Sequence, residues 1–311
     1  MPPPGVTGCP WGRMGPHGAD RDHRLGCLRP VGAGTVTSVP TTVNRDQIVA
    51  LLRRQFAAIT ELATTLTDRQ WDAPTCLPSW TVRDVLSHLV GTELMLSGHP
   101  PPAVDVSHLD HLQNSVAQAN EIWVESMRWR SGSEMADLWA DVAAERIVTL
   151  DGMSQHEFDA PSWTPVGNDE TYGRFMRIRH FDCYMHEHDM RFALGLPARA
   201  DAEDQASCLD EVATGLGYIV GRRAELPDGS RVVIELTGVA ARTFRIAVAG
   251  RATVVDALEG PATVGLQLSV PLFLRLTGGR VDGAGGPGGE IALSGHRDLA
   301  RRLAEHLAFT I

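Results

Sequence analysis

Apolar residues recur at helical spacing through most of residues 44–198. Asn44 and Gln47 have the form of a helix-capping box, and an apolar stripe follows them at intervals of three and four residues. Thr81 and Asp84 form a second box ahead of another stripe. Long helices with short joints and no strand signal predict a helical bundle. Its helices are predicted to begin at Asn44 and Thr81 and to cover about 109–130, 133–151 and 169–194, with a loop at 161–167.

The pattern changes after Pro197. Short segments that alternate or are rich in β-branched residues follow one another, separated by turns that contain Gly. A small α+β domain is therefore predicted over residues 200–311, with a boundary to the bundle near residue 200. Its predicted helices cover 202–222, 261–277 and 297–307, and its predicted strands cover 231–237, 243–249, 253–258 and 290–294.

Residues 1–43 differ from the rest of the chain. They contain 8 Gly and 7 Pro and show no periodicity, which predicts a disordered tail. They lack the apolar core of a signal peptide. An over-extended start is the alternative, with the true start near Val36 or Val43.

The net charge limits the kinds of molecule that this protein is expected to bind. With 28 basic and 38 acidic residues the net charge is −10, which leaves no basic excess to neutralise the phosphates of a nucleic acid. No apolar run reaches the roughly 20 residues needed to span a bilayer. We therefore expect a soluble protein that associates with neither nucleic acid nor membrane.

All 28 basic residues are Arg. The absence of Lys excludes Schiff-base chemistry and the phosphate-binding lysine of a P-loop. Together with abundant Ala and Gly it is typical of a GC-rich, actinobacterial genome. Five cysteines without paired spacing indicate reduced thiols, and hence a cytoplasmic protein.

Two predicted helices carry the candidate chemistry. His88 lies on or beside the apolar stripe of the helix that begins at Thr81. Arg179, Asp182, His186 and Asp189 share one face of the helix at 169–194, since they are spaced by three, four and three residues. Asp182 and His186, with His88 from a facing helix, would offer one carboxylate and two imidazoles to a metal ion. Three protein ligands leave a coordination position open, as in catalytic zinc sites.

Spacing alone leaves other interpretations open. A single His on an apolar face is usually a hydrogen-bonded core residue, and Asp and His four residues apart often form an ordinary intrahelical pair. Glu187 and His188 point about 100° and 200° away from His186, so they are poor substitutes as ligands. Cys183 is expected to be a buried, inert thiol, and Asp189 to orient His186 or His88 or to remain at the surface.

Residues 66–89 and 179–197 carry a family resemblance. The first segment contains Pro-Ser-Trp-Thr-Val-Arg-Asp-Val-Leu-Ser-His-Leu at 78–89, and the second contains Arg-His-Phe-Asp-Cys-Tyr-Met-His-Glu-His-Asp-Met-Arg at 179–191. Both resemble motifs of the mycothiol-dependent maleylpyruvate isomerase and DinB-like metal-binding family. The resemblance covers residues 44–198, and residues 200–311 resemble the family's sterol-carrier-like C-terminal domain more weakly.

The resemblance implies a divalent metal, usually zinc, bound by His88, Asp182 and His186. Better-known members of the family carry Glu at the position of Asp182, which is one methylene shorter. The metal would then lie closer to the last bundle helix, or a water would complete its shell. The resemblance also implies mycothiol, a low-molecular-weight thiol, as cosubstrate.

Three functions follow as alternatives. The first is a metal-dependent isomerase or thiol transferase, in which a metal-activated thiolate attacks a small electrophilic, maleylpyruvate-like substrate. The second is a metal-dependent hydrolase of the same fold, which would activate water instead. The third is a non-enzymatic protein whose C-terminal domain binds a small molecule or lipid. Neither the physiological substrate nor the oligomeric state follows from the sequence.

Overall fold

Ten helices and seven strands form the part of the chain that this computed structural model describes, namely residues 41–109, 112, 114–280 and 290–310. The predicted tail at 1–43 lies outside the described residues, except for residues 41–43. The helices are α1 (Arg45–Thr64), α2 (Asp68–Trp71), α3 (Val82–Leu96), α4 (Ser115–Met127), α5 (Gly132–Gly152), α6 (Gln155–Phe158), α7 (Tyr172–Ala193), α8 (Ala202–Tyr218), α9 (Val270–Thr277) and α10 (Arg297–Glu305). The strands are β1 (Pro161–Thr164), β2 (Gly167–Thr171), β3 (Arg231–Thr237), β4 (Arg242–Ala249), β5 (Arg251–Val254), β6 (Val264–Ser269) and β7 (Ala292–Gly295).

The long helices α1, α3, α4, α5 and α7 pack into a bundle. Their ends follow the capping signals in the sequence: the Asn44 side chain accepts a hydrogen bond from the Gln47 backbone, and Thr81 and Asp84 form a reciprocal box at the start of α3. The apolar faces of these helices enclose one core, in which Phe56 and Trp139 meet edge to face.

A hairpin interrupts the predicted bundle pattern. Residues 161–167 were expected to be a loop before a helix from 169, but β1 and β2 pair antiparallel there and α7 begins at Tyr172. The turn at Gly167 adopts φ 148°, a conformation that Gly reaches without steric cost. This prediction was wrong because the strands are short and polar, with Asn, Asp and Glu in β2.

The second half of the structure is a five-stranded sheet with the order β5-β4-β3-β6-β7. Only the β3–β6 pair is parallel. Alternate residues of β3 are buried, and α8, α9 and α10 pack on that face of the sheet. The last turn of α8 continues as a π-helix over Ile219–Arg223. The predicted order, a helical bundle followed by an α+β part, is confirmed.

One predicted helix of this half is divided in the structure. The range 261–277 contains β6 followed by α9, with Ser269 as the N-cap between them. The expectation of a single helix was wrong because a mostly apolar segment fits a buried strand and a buried helix equally well.

Helix α7 contributes to both hydrophobic cores. Cys183 and Met190 belong to the bundle core, whereas Phe181, Tyr184 and Met185 belong to the core under the sheet. The described chain from residue 41 onward lies within a single compact unit. The predicted domain limits at 44–198 and 200–311 therefore stay predictions.

Within the described ranges, no helix is both long enough and apolar enough to cross a membrane.

Candidate metal centre

Helices α3 and α7 bring three of the predicted site residues together. The His88 Nε2 atom lies 3.3 Å from Asp182 Oδ2, and the His186 Nε2 atom lies 3.4 Å from Asp182 Oδ1. One donor atom from each residue lies within 4.8 Å of the other two. Both imidazoles are buried, whereas 31% of the Asp182 side chain is exposed. The cluster is therefore reachable from solvent on the Asp182 side.

The turn before α3 shapes one side of this cluster. Ser79 has φ 67°, a left-handed conformation that is uncommon for residues other than Gly. Trp80 follows it, and its ring centroid lies 5.4 Å from that of His88 and 6.2 Å from that of His186. The Trp80 indole N–H donates to Glu121 Oε2 at 2.8 Å, which fixes the ring beside both imidazoles.

Asp189 orients His186 through a hydrogen bond. Its Oδ2 atom accepts from His186 Nδ1 at 3.0 Å, and this leaves Nε2 as the free nitrogen directed toward Asp182. Asp189 is 2% exposed and is also bound by Arg280, which follows α9 in the sheet half of the chain. Arg280 therefore connects that half to the imidazole of His186.

Positive charge surrounds the carboxylate of Asp182. Partial burial favours the neutral acid, but the charges of His186, Arg179 and His88 outweigh it and hold the pKa of Asp182 well below its usual range. Burial alone would lower the pKa of His186, but the negative charge of Asp182 and hydrogen bonds to Asp182 and Asp189 raise it. Asp182 is thus an anion at neutral pH.

His88 differs from His186 in its partners. Burial lowers the pKa of His88 despite the neighbouring Asp182, which favours the neutral imidazole that a metal ion requires. The Nδ1 atom of His88 is buried and has no hydrogen-bond partner among the described residues.

The three side chains fit a divalent ion. Zinc bonds of about 2.0–2.2 Å place neighbouring tetrahedral ligands about 3.4 Å apart. The His186 Nε2–Asp182 Oδ1 separation of 3.4 Å matches that spacing. His88 Nε2 lies 3.3 Å from the other carboxylate oxygen, Oδ2, and one donor atom from each of the three residues lies within 4.8 Å of the other two. Two imidazoles and one carboxylate are also a donor set that zinc accepts.

The side chains that follow Asp182 and His186 directly on α7 point away from the cluster. Glu187 accepts from Gln55 at 2.7 Å, and His188 Nδ1 lies 2.8 Å from the Tyr184 carbonyl, so neither approaches the cluster. Cys183 is completely buried, and burial raises the pKa of its thiol.

Sequence reasoning missed several contacts around the cluster. Trp80 and Glu121 lie 41 positions apart, and Arg280 lies 91 positions from Asp189, so no local spacing predicted these contacts. Cys76 was also missed; its Sγ atom lies 3.4 Å from Asp189 Oδ1. For Glu93 a signal existed, since it is an acidic residue close to the apolar stripe of α3.

Solved structures share this fold at low sequence identity. A crystal structure of the mycothiol-dependent maleylpyruvate isomerase aligns with a TM-score of 0.54 and 15% identity, covering 80% of this chain and 93% of that one. The crystal structure of a histidine-to-alanine mutant of that isomerase aligns with a TM-score of 0.53 and the same identity and coverage. At this identity the likeness establishes the fold.

Sequence comparison gives a family for the bundle. No curated protein matches the chain. Residues 52–191 match the family model described as the mycothiol maleylpyruvate isomerase N-terminal domain, and this range includes all three clustered residues. The predicted family resemblance is confirmed for residues 52–191, which match the model of the mycothiol maleylpyruvate isomerase N-terminal domain family.

Proposed function

We propose that this protein is a divalent-metal-dependent enzyme that uses mycothiol to isomerise or thiolate a small electrophilic substrate. The observation that carries the proposal is the cluster of His88, Asp182 and His186, whose donor atoms lie within 4.8 Å of one another. The family of residues 52–191 supports the choice of thiol and of isomerase chemistry. Zinc is the metal that the donor set favours.

A divalent ion at this cluster would supply Lewis acidity, which lowers the pKa of a thiol that reaches it. His88 and His186 would bind through Nε2, and Asp189 would keep His186 in the required tautomer by accepting from Nδ1. Asp182 would contribute the negative charge. The exposed side of Asp182 is where thiol and substrate would enter.

The cysteines near the cluster support a nucleophile that comes from the cosubstrate. Partial burial and the negative charge of Asp189 raise the pKa of Cys76 to about 11, so its thiol is protonated at neutral pH. Cys183 is buried, and its pKa is raised as well. The thiolate of mycothiol would instead form a C–S bond to the electrophilic carbon. An isomerase breaks that bond again after rotation, whereas a transferase retains it.

Metal analysis by plasma mass spectrometry tests the proposal first. About one zinc ion per chain is expected in the wild type and much less in His88→Ala and His186→Ala. His188→Ala is the matched control, because His188 lies on the same helix but faces away from the cluster. A wild-type protein that contains no metal and takes up no added zinc would refute the metal site.

Turnover assays with and without mycothiol test the reaction. Conversion of a maleylpyruvate-like electrophile only in the presence of thiol supports the proposal. Hydrolysis that proceeds without thiol would replace it with the hydrolase alternative. A metal-loaded protein with neither activity, but with lipid binding that depends on residues 200–311, would identify a binding protein.

A further inference from the structure

The two oxygens of Asp182 face different partners. Oδ1 lies 3.4 Å from His186 Nε2. Oδ2 lies 3.3 Å from His88 Nε2 and accepts a charge-assisted hydrogen bond from Arg179 Nη1. Arg179 lies one turn before Asp182 on α7, so the helix itself holds the guanidinium against one edge of the carboxylate.

Arg179 is itself fixed by buried charges. Its Nε and Nη2 atoms donate to Glu93 Oε1 at 3.1 and 2.8 Å, and both side chains are almost fully buried. The other oxygen of Glu93 accepts from Arg146, which also donates to the Tyr172 hydroxyl. These contacts fix the guanidinium so that its third nitrogen, Nη1, donates to Asp182 Oδ2.

A carboxylate can bind a metal ion through one oxygen or through both. If both oxygens of Asp182 bound the ion of the proposed function, they would fill two coordination positions. The hydrogen bond from Arg179 competes for Oδ2, because that oxygen cannot serve the guanidinium and the ion equally well. The hydrogen bond from Arg179 goes to Oδ2, so Oδ1 remains available to the ion.

We propose that Arg179 is a positioning residue that restricts Asp182 to binding through one oxygen and so keeps a coordination position open for the thiol. The inference rests on the metal site of the proposed function and deepens it. Glu93 supports the same role by fixing the guanidinium from the opposite side. Asp182, which is shorter than the Glu of better-known family members, would then bind the ion through one oxygen and leave one coordination position open.

The test compares Arg179→Met with the wild type by the visible absorption of bound Co²⁺, which weakens as coordination number rises. Without thiol, the variant is expected to bind Co²⁺ with weaker absorption than the wild type. Titration with mycothiol is expected to show about 10- to 100-fold weaker thiol binding to the Co²⁺ form. Arg177→Met is the matched control: Arg177 lies on the same helix and pairs with Glu211 at 3.0 Å instead.

Two results would overturn the inference while leaving the proposed function intact. One is an Arg179→Met protein whose Co²⁺ spectrum and thiol affinity equal those of the wild type. The other is loss of Co²⁺ binding in a folded Arg179→Met protein, because Arg179 would then be needed for binding itself. A wild type that binds neither Co²⁺ nor Zn²⁺ would overturn the proposed function and the inference together.

A second variant covers the case in which Arg179→Met does not fold. The double variant Glu93→Gln/Arg179→Met removes both charges of the buried Glu93–Arg179 pair, and the amide oxygen that replaces the carboxylate can still accept the hydrogen bond from Arg146. The same change in Co²⁺ absorption and thiol affinity is expected. An unchanged spectrum in the double variant overturns the inference.

Discussion

Trp80 is the side chain that most directly reports on the candidate centre. Its ring lies beside those of His88 and His186, and Glu121 fixes its orientation through the indole N–H. Glu121 is buried and also bound by Arg128 at 2.8 Å. Trp80 therefore lies within contact range of both imidazoles without offering a ligand of its own.

We predict that zinc changes the intrinsic fluorescence of the wild-type protein and that Trp80→Phe abolishes most of this change. The physical reason is the short distance from Trp80 to the two imidazoles that would bind the ion. Trp129→Phe is the control, because Trp129 is 70% exposed and its indole N–H donates locally to the Ser126 carbonyl. A fluorescence response that persists in Trp80→Phe would place the bound ion elsewhere.

A second prediction concerns Asp189, which serves two partners at once. Asp189→Asn keeps the shape of the side chain but removes the negative charge that binds Arg280. It also replaces the carboxylate that accepts the hydrogen bond from His186 with a weaker acceptor. Zinc affinity, measured by competition with a chelator, is expected to fall about 10- to 100-fold. Asp210→Asn, which disrupts an exposed pair with Arg242, should leave it unchanged. Equal affinities in both variants would contradict an orienting role.

At the level of elements, α7 shows what the sequence could predict. The spacing of Arg179, Asp182, His186 and Asp189 predicted one shared face, and all four meet there. The facing residue His88 was placed by the apolar stripe of α3. Both predictions followed from the periodicity of an α-helix, which relates residues that are close together in the sequence.

Other elements could not be predicted for physical reasons. The β1–β2 hairpin is polar and short, so it shows no alternation. Strand β6 and helix α9 share one apolar run, and periodicity does not separate them. The contact between Arg280 and Asp189 depends on how the two halves pack, and no local pattern encodes it.

The packing of α3 against α4 gives a prediction about stability. A Cβ atom at Gly91 would lie 2.4 Å from Trp123 Cβ, which cannot move without its backbone. Gly91→Ala gains about 1 kcal/mol in helix propensity but is expected to lose about 1–3 kcal/mol through overpacking. We therefore expect a net loss of stability in urea denaturation. Gly152→Ala has free space around it and should not destabilise; destabilisation equal to that of Gly91→Ala would refute the steric explanation.

On the scale of the whole molecule, buried charges join the bundle to the sheet half. Arg199 binds Gln55 of α1, Glu187 of α7 and Asp204 of α8. His180 approaches the other oxygen of Asp204 at 3.2 Å. These contacts connect three helices through the segment between α7 and α8.

The acid stability of the protein should depend on Asp204. Burial favours its neutral form, but hydrogen bonds from His180 and Arg199 and their charges lower its pKa to about 2. Since the unfolded-state pKa is higher, about 3.9, the carboxylate stabilises the fold above pH 4, and this stabilisation is lost as the pH falls toward 2. It amounts to about 2–3 kcal/mol at 1.36 kcal/mol per pKa unit.

Denaturation of Asp204→Asn across this pH range measures the effect. The variant is expected to be less stable than the wild type at pH 7 and to lose less stability between pH 4 and 2. Asp298→Asn, at an exposed position, is the control. Parallel pH profiles for wild type and Asp204→Asn would contradict the assignment.

Asp189 lies between an imidazole of the bundle and a guanidinium of the sheet half. An ion held by His186 and the docking of Arg280 thus act on the same carboxylate. Thermodynamic linkage then requires reciprocity: whatever factor docking contributes to ion affinity, the ion contributes to docking. If the proposed ion binds, the sheet half would be energetically coupled to the centre even though it supplies none of the three proposed ligands, and ion binding would contribute to the association of the two halves.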